Sequence, residues 1–132
     1  MPFFSALARR LTLVGLVLLT MSLLPGAATA FERIENRWKP DQVVHIEHGA
    51  AQAGPAQAGW WSAQWTFEPV QGQPYVRLRN RWKPDQYLHI EHGPIAAGPM
   101  QSGWWSAQWQ VEAVAGEPYV RLAHRWTPDH YI

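Results

Sequence analysis

Cysteine is absent from the 132-residue sequence, so disulfides are excluded and burial of apolar side chains must stabilise the fold. No segment after residue 30 repeats its apolar residues with the helical period of 3.6, which argues against a helical domain. Serine is scarce there, at Ser62, Ser102 and Ser106, and no nucleophile, base and acid occur together at a unique spacing. These absences predict an all-β, non-catalytic protein without a cofactor.

The first 30 residues have the layout of a secretory signal. Arg9 and Arg10 form a charged start, an apolar run covers residues 11–24, and residues 28–30 are a small-residue cleavage site, Ala-Thr-Ala. The apolar run is short for a membrane span, so a retained anchor is the less favoured alternative. We therefore expect export to the periplasm or the exterior, with a mature chain of residues 31–132.

The mature chain is nearly neutral. The sequence holds 11 basic and 10 acidic residues, and removal of Arg9 and Arg10 leaves nine against ten, a balance of about −1. Such a balance provides no electrostatic footprint for nucleic acid or an anionic membrane. The remaining length, about 100 residues, suffices for one domain.

A tandem repeat of 44 residues organises this domain. Residues 31–74 align without a gap on residues 75–118, with about 28 identical positions, and residues 119–132 repeat only the opening third of the unit. The heptapeptide Gly-Trp-Trp-Ser-Ala-Gln-Trp occurs in both complete units, at residues 59–65 and 103–109.

Each unit is predicted to open with a β-hairpin. Apolar and polar residues alternate over residues 75–80 and again over residues 87–91, with a Lys-Pro-Asp-Gln turn at residues 83–86 between them. Leu78 and Leu88 face the core in this arrangement. A connection rich in glycine, proline and alanine then leads to a further strand.

That further strand is predicted to cross each tryptophan heptapeptide. Because side chains alternate along a strand, Trp60 and Trp61 face opposite sides. Trp61 and Trp65 share a face with Ala63 and are predicted to fill the core, as are their counterparts in the second unit. Trp60 and Trp104 are predicted to be exposed, where an indole can stack on a sugar or cover a loop or subunit contact.

The order of these motifs resembles the ricin-type β-trefoil lectin repeat. The resemblance is carried by the strand at residues 75–81, the Tyr-Leu strand at residues 87–91 and the Gln108-Trp109 element, and it extends over nearly all of residues 31–132. It implies an all-β, β-trefoil-like fold built from the 44-residue units. It also implies a sugar site in each unit.

A trefoil closes from three units, whereas this chain contains two units and the opening hairpin of a third. Three explanations are open. The chain is truncated or a fragment, two chains complete each other as a homodimer, or the units close in another β arrangement. Ile132 would lie inward in mid-strand, which favours truncation slightly over dimerisation.

The resemblance further implies that an aspartate, a stacking aromatic residue and an amide bind the sugar in each unit. By residue type these are Asp41 and Asp85, Trp60 and Trp104, and Gln64 and Gln108. Tyr87, outward on the second strand, is an alternative stacking residue. Val43 replaces it in the first unit, so the two sites cannot be equivalent.

The motif His-Ile-Glu-His at residues 45–48 and 89–92 suggests a metal hypothesis. The first histidine and the glutamate share a strand face, about 6 to 7 Å apart at the backbone. These pairs are His45 with Glu47 and His89 with Glu91. Two ligands are too few for zinc, so a further residue from another unit is required. The favoured interpretation is solvated side chains beside a core isoleucine.

Two arginine positions recur in all three units. They are Arg33, Arg77 and Arg121, and Arg37, Arg81 and Arg125. The favoured interpretation of the arginines is an ion pair with Glu47 or Glu91 across the hairpin. Recognition of a carboxylated or sulfated glycan is the alternative. The tryptophans of the Trp-x-Pro-Asp turns, Trp38, Trp82 and Trp126, are predicted to cap the barrel end, with ligand binding as the less favoured alternative.

Nearly every polar candidate occurs twice, which suits multivalent binding better than a single catalytic centre. The sequence therefore predicts a secreted, non-catalytic, carbohydrate-binding module whose partner is a glycan or polysaccharide. The alternative is a structural or protein-interaction module in which sugars have no part.

Overall fold

The computed structural model describes residues 30–132, so the predicted signal segment lies outside the described residues, apart from Ala30. The described part contains eight strands and two short 3-10 turns. Within it, no helix has the length and apolar character needed to cross a membrane. The fold is all-β, as the alternation of its residues predicts.

The strands and turns recur with the sequence repeat. The first unit contains β1 (Val43–His45), β2 (Gln52–Gly54), a 3-10 turn (Trp61–Ala63) and β3 (Trp65–Pro69). The second contains β4 (Val76–Asn80), β5 (Tyr87–His89), β6 (Ala96–Gly98), a 3-10 turn (Trp105–Ala107) and β7 (Trp109–Ala113). The partial third unit provides β8 (Val120–His124). Residues 31–36, the counterpart of β4, form only isolated bridges, to Trp65 and to Val43.

Strand β4 lies at the centre of the larger sheet, where it pairs antiparallel with β3, β5 and β7. The sheet continues from β5 to β6 and from β7 to β8, while β1 and β2 form a separate pair. Strands β3 and β4 pair in the register Trp65↔Asn80, and β7 and β8 repeat it as Trp109↔His124. The sequence repeat is therefore also a repeat of strand register.

The predicted hairpin and turn are confirmed in β4 and β5. The N–H of Gln86 donates to the Lys83 carbonyl at 2.9 Å, which closes the turn. The side-chain oxygen of Asn80 accepts the N–H groups of Trp82 and Lys83 at 2.9 and 3.0 Å, and such local bonds favour turn formation. Leu78 and Leu88 are fully buried, as predicted.

One hydrophobic core is shared by all three units. It is built from Val44, Ile46, Trp65, Leu78, Leu88, Trp109 and Leu122. Each buried indole also satisfies its N–H group, because Trp65 donates to the Val44 carbonyl at 2.9 Å and Trp109 to the Leu88 carbonyl at 3.1 Å. A buried indole whose N–H is bonded carries no desolvation penalty from that group.

The units follow one another around a pseudo-threefold axis. The Arg81 guanidinium lies 4.2 Å from the centroid of the Phe31 ring, and the equivalent Arg125 lies 4.5 Å from that of Tyr75. The third equivalent contact joins the two ends of the domain, with the Arg37 guanidinium 4.5 Å from the centroid of the Tyr119 ring. The first and third units therefore share this arginine–aromatic contact with the other pairs of units, and the fold is β-trefoil-like.

Candidate functional site

Each tryptophan heptapeptide folds as a 3-10 turn followed by a strand, and not as one continuous strand. In the first copy the N–H of Gln64 donates to the Trp61 carbonyl at 3.1 Å, and the second copy has the same bond. The turn breaks the strand alternation. The prediction that Trp61 and Trp105 fill the core is therefore wrong, since they are 52% and 53% exposed. Trp60 and Trp104, predicted to be exposed, are half-buried.

An arginine holds the exposed indole of the first copy from one side. The Arg81 guanidinium lies 4.0 Å from the centroid of the Trp61 ring, and Phe31 covers the same guanidinium. Arg81 also donates from Nη1 to Oε1 of Gln64 at 2.6 Å. A guanidinium between two aromatic rings is stabilised by cation–π attraction to both. Trp61 is thereby fixed with one face on Arg81.

The second copy repeats this arrangement. Arg125 lies 4.0 Å from the centroid of the Trp105 ring, and its Nη1 donates to Oε1 of Gln108 at 2.5 Å. Arg81 and Arg125 therefore do not form the predicted ion pairs with Glu47 or Glu91. At the other recurring position Arg33 and Arg77 donate to backbone carbonyls more than 20 residues away, so that part of the prediction is also wrong.

A cleft of about 290 Å³ opens beside the second 3-10 turn. Its lining residues are Glu91, Gly103, Trp104, Trp105, Ser106 and Trp126. Three indoles and one carboxylate thus converge on one concave surface, with Trp126 supplied by the next unit. Trp38 is 82% exposed, so the prediction that it caps the barrel end is wrong, whereas Trp126 lines this cleft.

A buried serine orients the carboxylate of this cleft. The hydroxyl of Ser106 donates to Oε2 of Glu91, and Ser62 donates to Glu47 in the first unit. Both serines are buried while both glutamates are only half-buried. An ionised carboxylate can accept several hydrogen bonds, so Glu91 retains acceptor capacity for a group that enters the cleft.

A buried histidine lies behind each half-buried tryptophan. The His89 ring meets the Trp104 ring edge to face at 5.6 Å, and His45 meets Trp60 in the same way. Both histidines are buried, so their predicted solvent exposure is wrong. Room for His89 comes from Gly98, where a Cβ would lie 3.4 Å from the imidazole Nε2.

These two histidines are held in the neutral form. Burial lowers the pKa of His45 and of His89 below the ordinary 6.5. The Nδ1 atom of each ring accepts the N–H of the following glutamate at 3.2 Å, which requires that nitrogen to be unprotonated. The indoles of Trp60 and Trp104 therefore rest on uncharged rings.

The metal hypothesis required a further ligand from another unit. Across residues 30–132 no three histidine, aspartate or glutamate side chains come together in a metal-binding arrangement. The His-Ile-Glu-His motif instead contributes its first histidine to the packing behind the cleft and its glutamate to the cleft lining.

The predicted tryptophans and glutamines lie at or near the second-unit cleft or at the equivalent positions of the first unit. Trp104 lines the second-unit cleft, and Trp60 is its counterpart in the first unit. Gln64 and Gln108 are engaged by Arg81 and Arg125 and so position the exposed indoles.

The other predicted residues lie elsewhere. Asp41 and Asp85 are exposed in the turns that precede β1 and β5. Tyr87 is half-buried in β5. None of these three residues lines the second-unit cleft.

The cleft also contains residues that the sequence pattern did not indicate as ligand contacts, namely Trp105, Trp126, Glu91 and Ser106. One sequence signal was available. The Trp-x-Pro-Asp turn follows each complete heptapeptide at a constant spacing, which a ligand site spanning two units would require. A strand reading could not show that the turn and the heptapeptide face each other.

No family model and no curated protein sequence matches the chain, but solved structures do. A GlcNAcα1-4Gal-releasing endo-β-galactosidase from Clostridium perfringens superposes with a TM-score of 0.65 and 32% identity, covering 77% of this chain and 25% of the other. A mosquitocidal holotoxin superposes with a TM-score of 0.69 and 14% identity, covering 82% of this chain and 14% of the toxin. The chain thus spans a quarter or less of either protein.

The designed 3-fold symmetric protein ThreeFoil has a TM-score of 0.60 and 18% identity to the chain, with 74% of each chain covered. At that identity the likeness shows the fold alone. Together with the contacts around the pseudo-threefold axis, it establishes an all-β, β-trefoil-like architecture. The three similar structures differ in what their names describe, so the fold does not by itself define a function.

Proposed function

We propose that residues 31–132 form a secreted, non-catalytic carbohydrate-binding module of the ricin-type lectin kind. The observation that supports this best is the second-unit cleft, in which the indoles of Trp104, Trp105 and Trp126 surround the Glu91 carboxylate. Apolar walls with a few convergent polar groups are typical of small-ligand sites. A pyranose matches such a site, because it presents an apolar C–H face and a rim of hydroxyls.

In the proposed mode of binding, the side chains of the cleft have different roles. Trp105 has one face on Arg125 and is more than half exposed, so its free surface stacks on the sugar. Trp126 supplies the facing wall from the next unit. Glu91, oriented by Ser106, accepts hydrogen bonds from sugar hydroxyls. In this proposal Gln108 acts indirectly, by holding Arg125 beneath the indole.

The first unit repeats the same residues, which favours binding at two sites. Its counterparts to the cleft residues are Glu47, Gly59, Trp60, Trp61, Ser62 and Trp82. Two weak sites on one chain raise the apparent affinity for a polysaccharide through effective concentration. The 32% identity to an endo-β-galactosidase of which this chain covers a quarter is consistent with a binding module that accompanies a carbohydrate-active domain.

A glycan array is the first test, with galactose-, N-acetylglucosamine- and arabinose-terminated chains among its probes. A sugar class that binds is then titrated calorimetrically against the purified chain and its variants. Trp105→Ala and Trp126→Ala should each weaken binding at the second-unit cleft by on the order of tenfold, because a stacking surface is lost. With Trp61→Ala added, binding at the equivalent first-unit positions should be weakened by a similar factor and the gain from two sites lost.

The matched control is Trp38→Ala. Trp38 occupies the same turn position as Trp82 and Trp126, but among the described residues it has no heptapeptide in front of it. Its removal should leave glycan binding unchanged. A folded chain that binds no glycan on the array would overturn the proposal and favour the protein-interaction alternative.

A further inference from the structure

The opening segment, residues 31–36, has a free outer edge. The Ile34 carbonyl and the Asn36 N–H bond to the β1 side of the sheet, each at 3.0 Å. Since successive residues of a strand direct their backbone groups to opposite sides, those of Arg33 and Glu35 point outward. In the described range no strand pairs with that outer side.

The counterparts of this segment are covered. Strand β3 pairs with β4 over five residues, and β7 pairs with β8 in the same way. The covering strand β3 supplies a carboxylate to β4, where Glu68 bonds Arg79 at 2.8 Å. An open strand edge is a template for pairing with another chain.

Only the open strand carries opposite charges at its two outward positions. There Arg33 is followed by Glu35, whereas the equivalent pairs are Arg77 with Arg79 in β4 and Arg121 with Ala123 in β8. Glu35 thus lies in the copy of the strand that no other described strand covers, where no neighbouring strand supplies a carboxylate. Opposite charges within one edge allow that edge to pair with itself.

We propose that two copies of this chain associate through this edge, antiparallel, about a twofold axis at Ile34. In this register Arg33 lies opposite Glu35 of the partner subunit, and the partner's Arg33 lies opposite Glu35. Both pairs are hydrogen-bonded pairs, because both residues direct their backbone outward. A register centred on Glu35 would place two carboxylates together, which is unfavourable. The interface is isologous, as a twofold axis requires.

Apolar surface lies next to the same edge. Ile34 packs partly buried against the core. Association along the edge would remove part of this surface from water and so add a hydrophobic contribution to the paired strands.

The charge register allows a test by mixing. Arg33→Glu and Glu35→Arg each place like charges opposite one another in a homodimer, so each variant should dissociate about tenfold more readily than the parent chain. Mixed together, the two variants should form a heterodimer, because every facing pair is again of opposite charge. Sedimentation equilibrium over a range of concentrations measures the association of the parent chain, of each variant alone and of the mixture.

The mixing design excludes a folding defect as the cause, since a misfolded variant would not be rescued by another variant. Arg33 also donates to the backbone carbonyls of Gln57 and Ala58. Arg77→Ala, which removes the equivalent bond to Ser102 on a covered strand, is therefore the control and should not change the mass. A parent chain that is monomeric at all concentrations, or single variants that associate as the parent does, would overturn the proposal.

A cross-link tests the register independently of charge. Ile34 would face itself across the axis as a non-hydrogen-bonded pair, with Cα atoms about 4.5 Å apart, within the range that a disulfide spans. Because the chain has no cysteine, Ile34→Cys should give one covalent dimer on mild oxidation. Leu78→Cys, at the same position of the covered β4, should not. Failure of Ile34→Cys to cross-link while the chain is dimeric would reject this register. Neither Arg33 nor Glu35 lines the cleft, so the outcome is separate from that for glycan binding.

Discussion

In the first repeat Trp65 donates its indole N–H to the Val44 carbonyl, and in the second Trp109 donates to the Leu88 carbonyl. The contacts agree, yet the surroundings differ. Trp109 borders a cavity of about 320 Å³ that residues 130–132 help to line. Identical local sequence therefore fixes the contact, while the position of the repeat in the barrel decides how completely it is packed.

The largest expected effect separates these two core tryptophans. Trp65→Ala should destabilise the fold by about 3–5 kcal/mol, because a fully buried indole is replaced by a cavity. Trp109→Ala should cost less within that range, since its side chain already borders open space into which neighbours or water can move. Urea denaturation of both variants measures the difference.

Trp38→Ala is the control for this pair. Its side chain is 82% exposed, so the change in the free energy of unfolding should stay within about 0.5 kcal/mol. A larger loss for Trp109→Ala than for Trp65→Ala would contradict the view that the second repeat is the less completely packed one.

The hairpins show how much of the fold the sequence could predict. Strand alternation around Leu78 and Leu88 and the Pro-Asp turn between them are local signals, and both are confirmed. The 44-residue repeat then carries the same prediction into every unit. The β-trefoil-like fold follows from the resemblance and is confirmed by the structure.

The cleft beside the second 3-10 turn could be predicted less fully from the sequence. A three-residue 3-10 turn has no periodicity of its own, so the sequence pattern predicts a strand there and assigns the exposed position to Trp60 instead of Trp61. The burial of His45 depends on Gly54 in the neighbouring strand, where a Cβ would lie 3.1 Å from the imidazole Nε2. That contact follows from the pairing of β1 with β2, which local pattern could not supply.

An intermediate effect is expected where the two repeats are most alike. Ser62→Ala and Ser106→Ala each remove a buried hydroxyl that donates to a glutamate. Each should destabilise the fold by about 1–2 kcal/mol, because a hydrogen bond to a carboxylate is lost while water can still reach the half-buried acid. The two losses in the free energy of unfolding should agree within error when they are measured by thermal or urea denaturation.

Ser102→Ala provides the comparison for the two serine variants. Ser102 is exposed, and only its carbonyl is used, by Arg77, so the substitution should be silent. Unequal losses for Ser62→Ala and Ser106→Ala would show that the surroundings of Glu47 and Glu91 differ in more than their neighbouring strands.

The smallest expected effect comes from the position where the third unit departs from the first two. His124 stands where the repeat has Asn80, and it makes the same bonds. Its Nε2 donates to the Ser106 carbonyl at 2.7 Å, and its Nδ1 accepts two turn N–H groups at 3.2 and 3.1 Å. Asn80 donates to the Ser62 carbonyl at 2.9 Å. The bonds of His124 require a neutral ring, because Nδ1 must remain an acceptor.

Burial lowers the pKa of His124 below 6.5, against a smaller opposing effect of the bond to Ser106. Below 6.5 the unfolded chain therefore binds a proton before the folded chain does. The stability that neutral His124 contributes to the fold should be fully present above pH 6.5. It should decrease as the pH falls from 6.5 through the lowered pKa. His124→Asn keeps the bonds and removes the proton, so unfolding at about pH 8 should change by less than about 1 kcal/mol.

Between 6.5 and the lowered pKa, the variant should lose less stability on acidification, by at most about 1.4 kcal/mol per pH unit, because one fewer proton is taken up on unfolding. Urea titrations at a series of pH values measure the slope. His130→Asn serves as the comparison, since that side chain is 66% exposed and its charge contributes only the smallest of the effects on the pKa of His124, so its loss should change the slope less than His124→Asn does. An unaltered slope in His124→Asn would mean that acid sensitivity resides in His45 and His89, whose pKa values burial also lowers. The exchange of asparagine for histidine in the third unit would then change the side chain's shape without adding acid sensitivity.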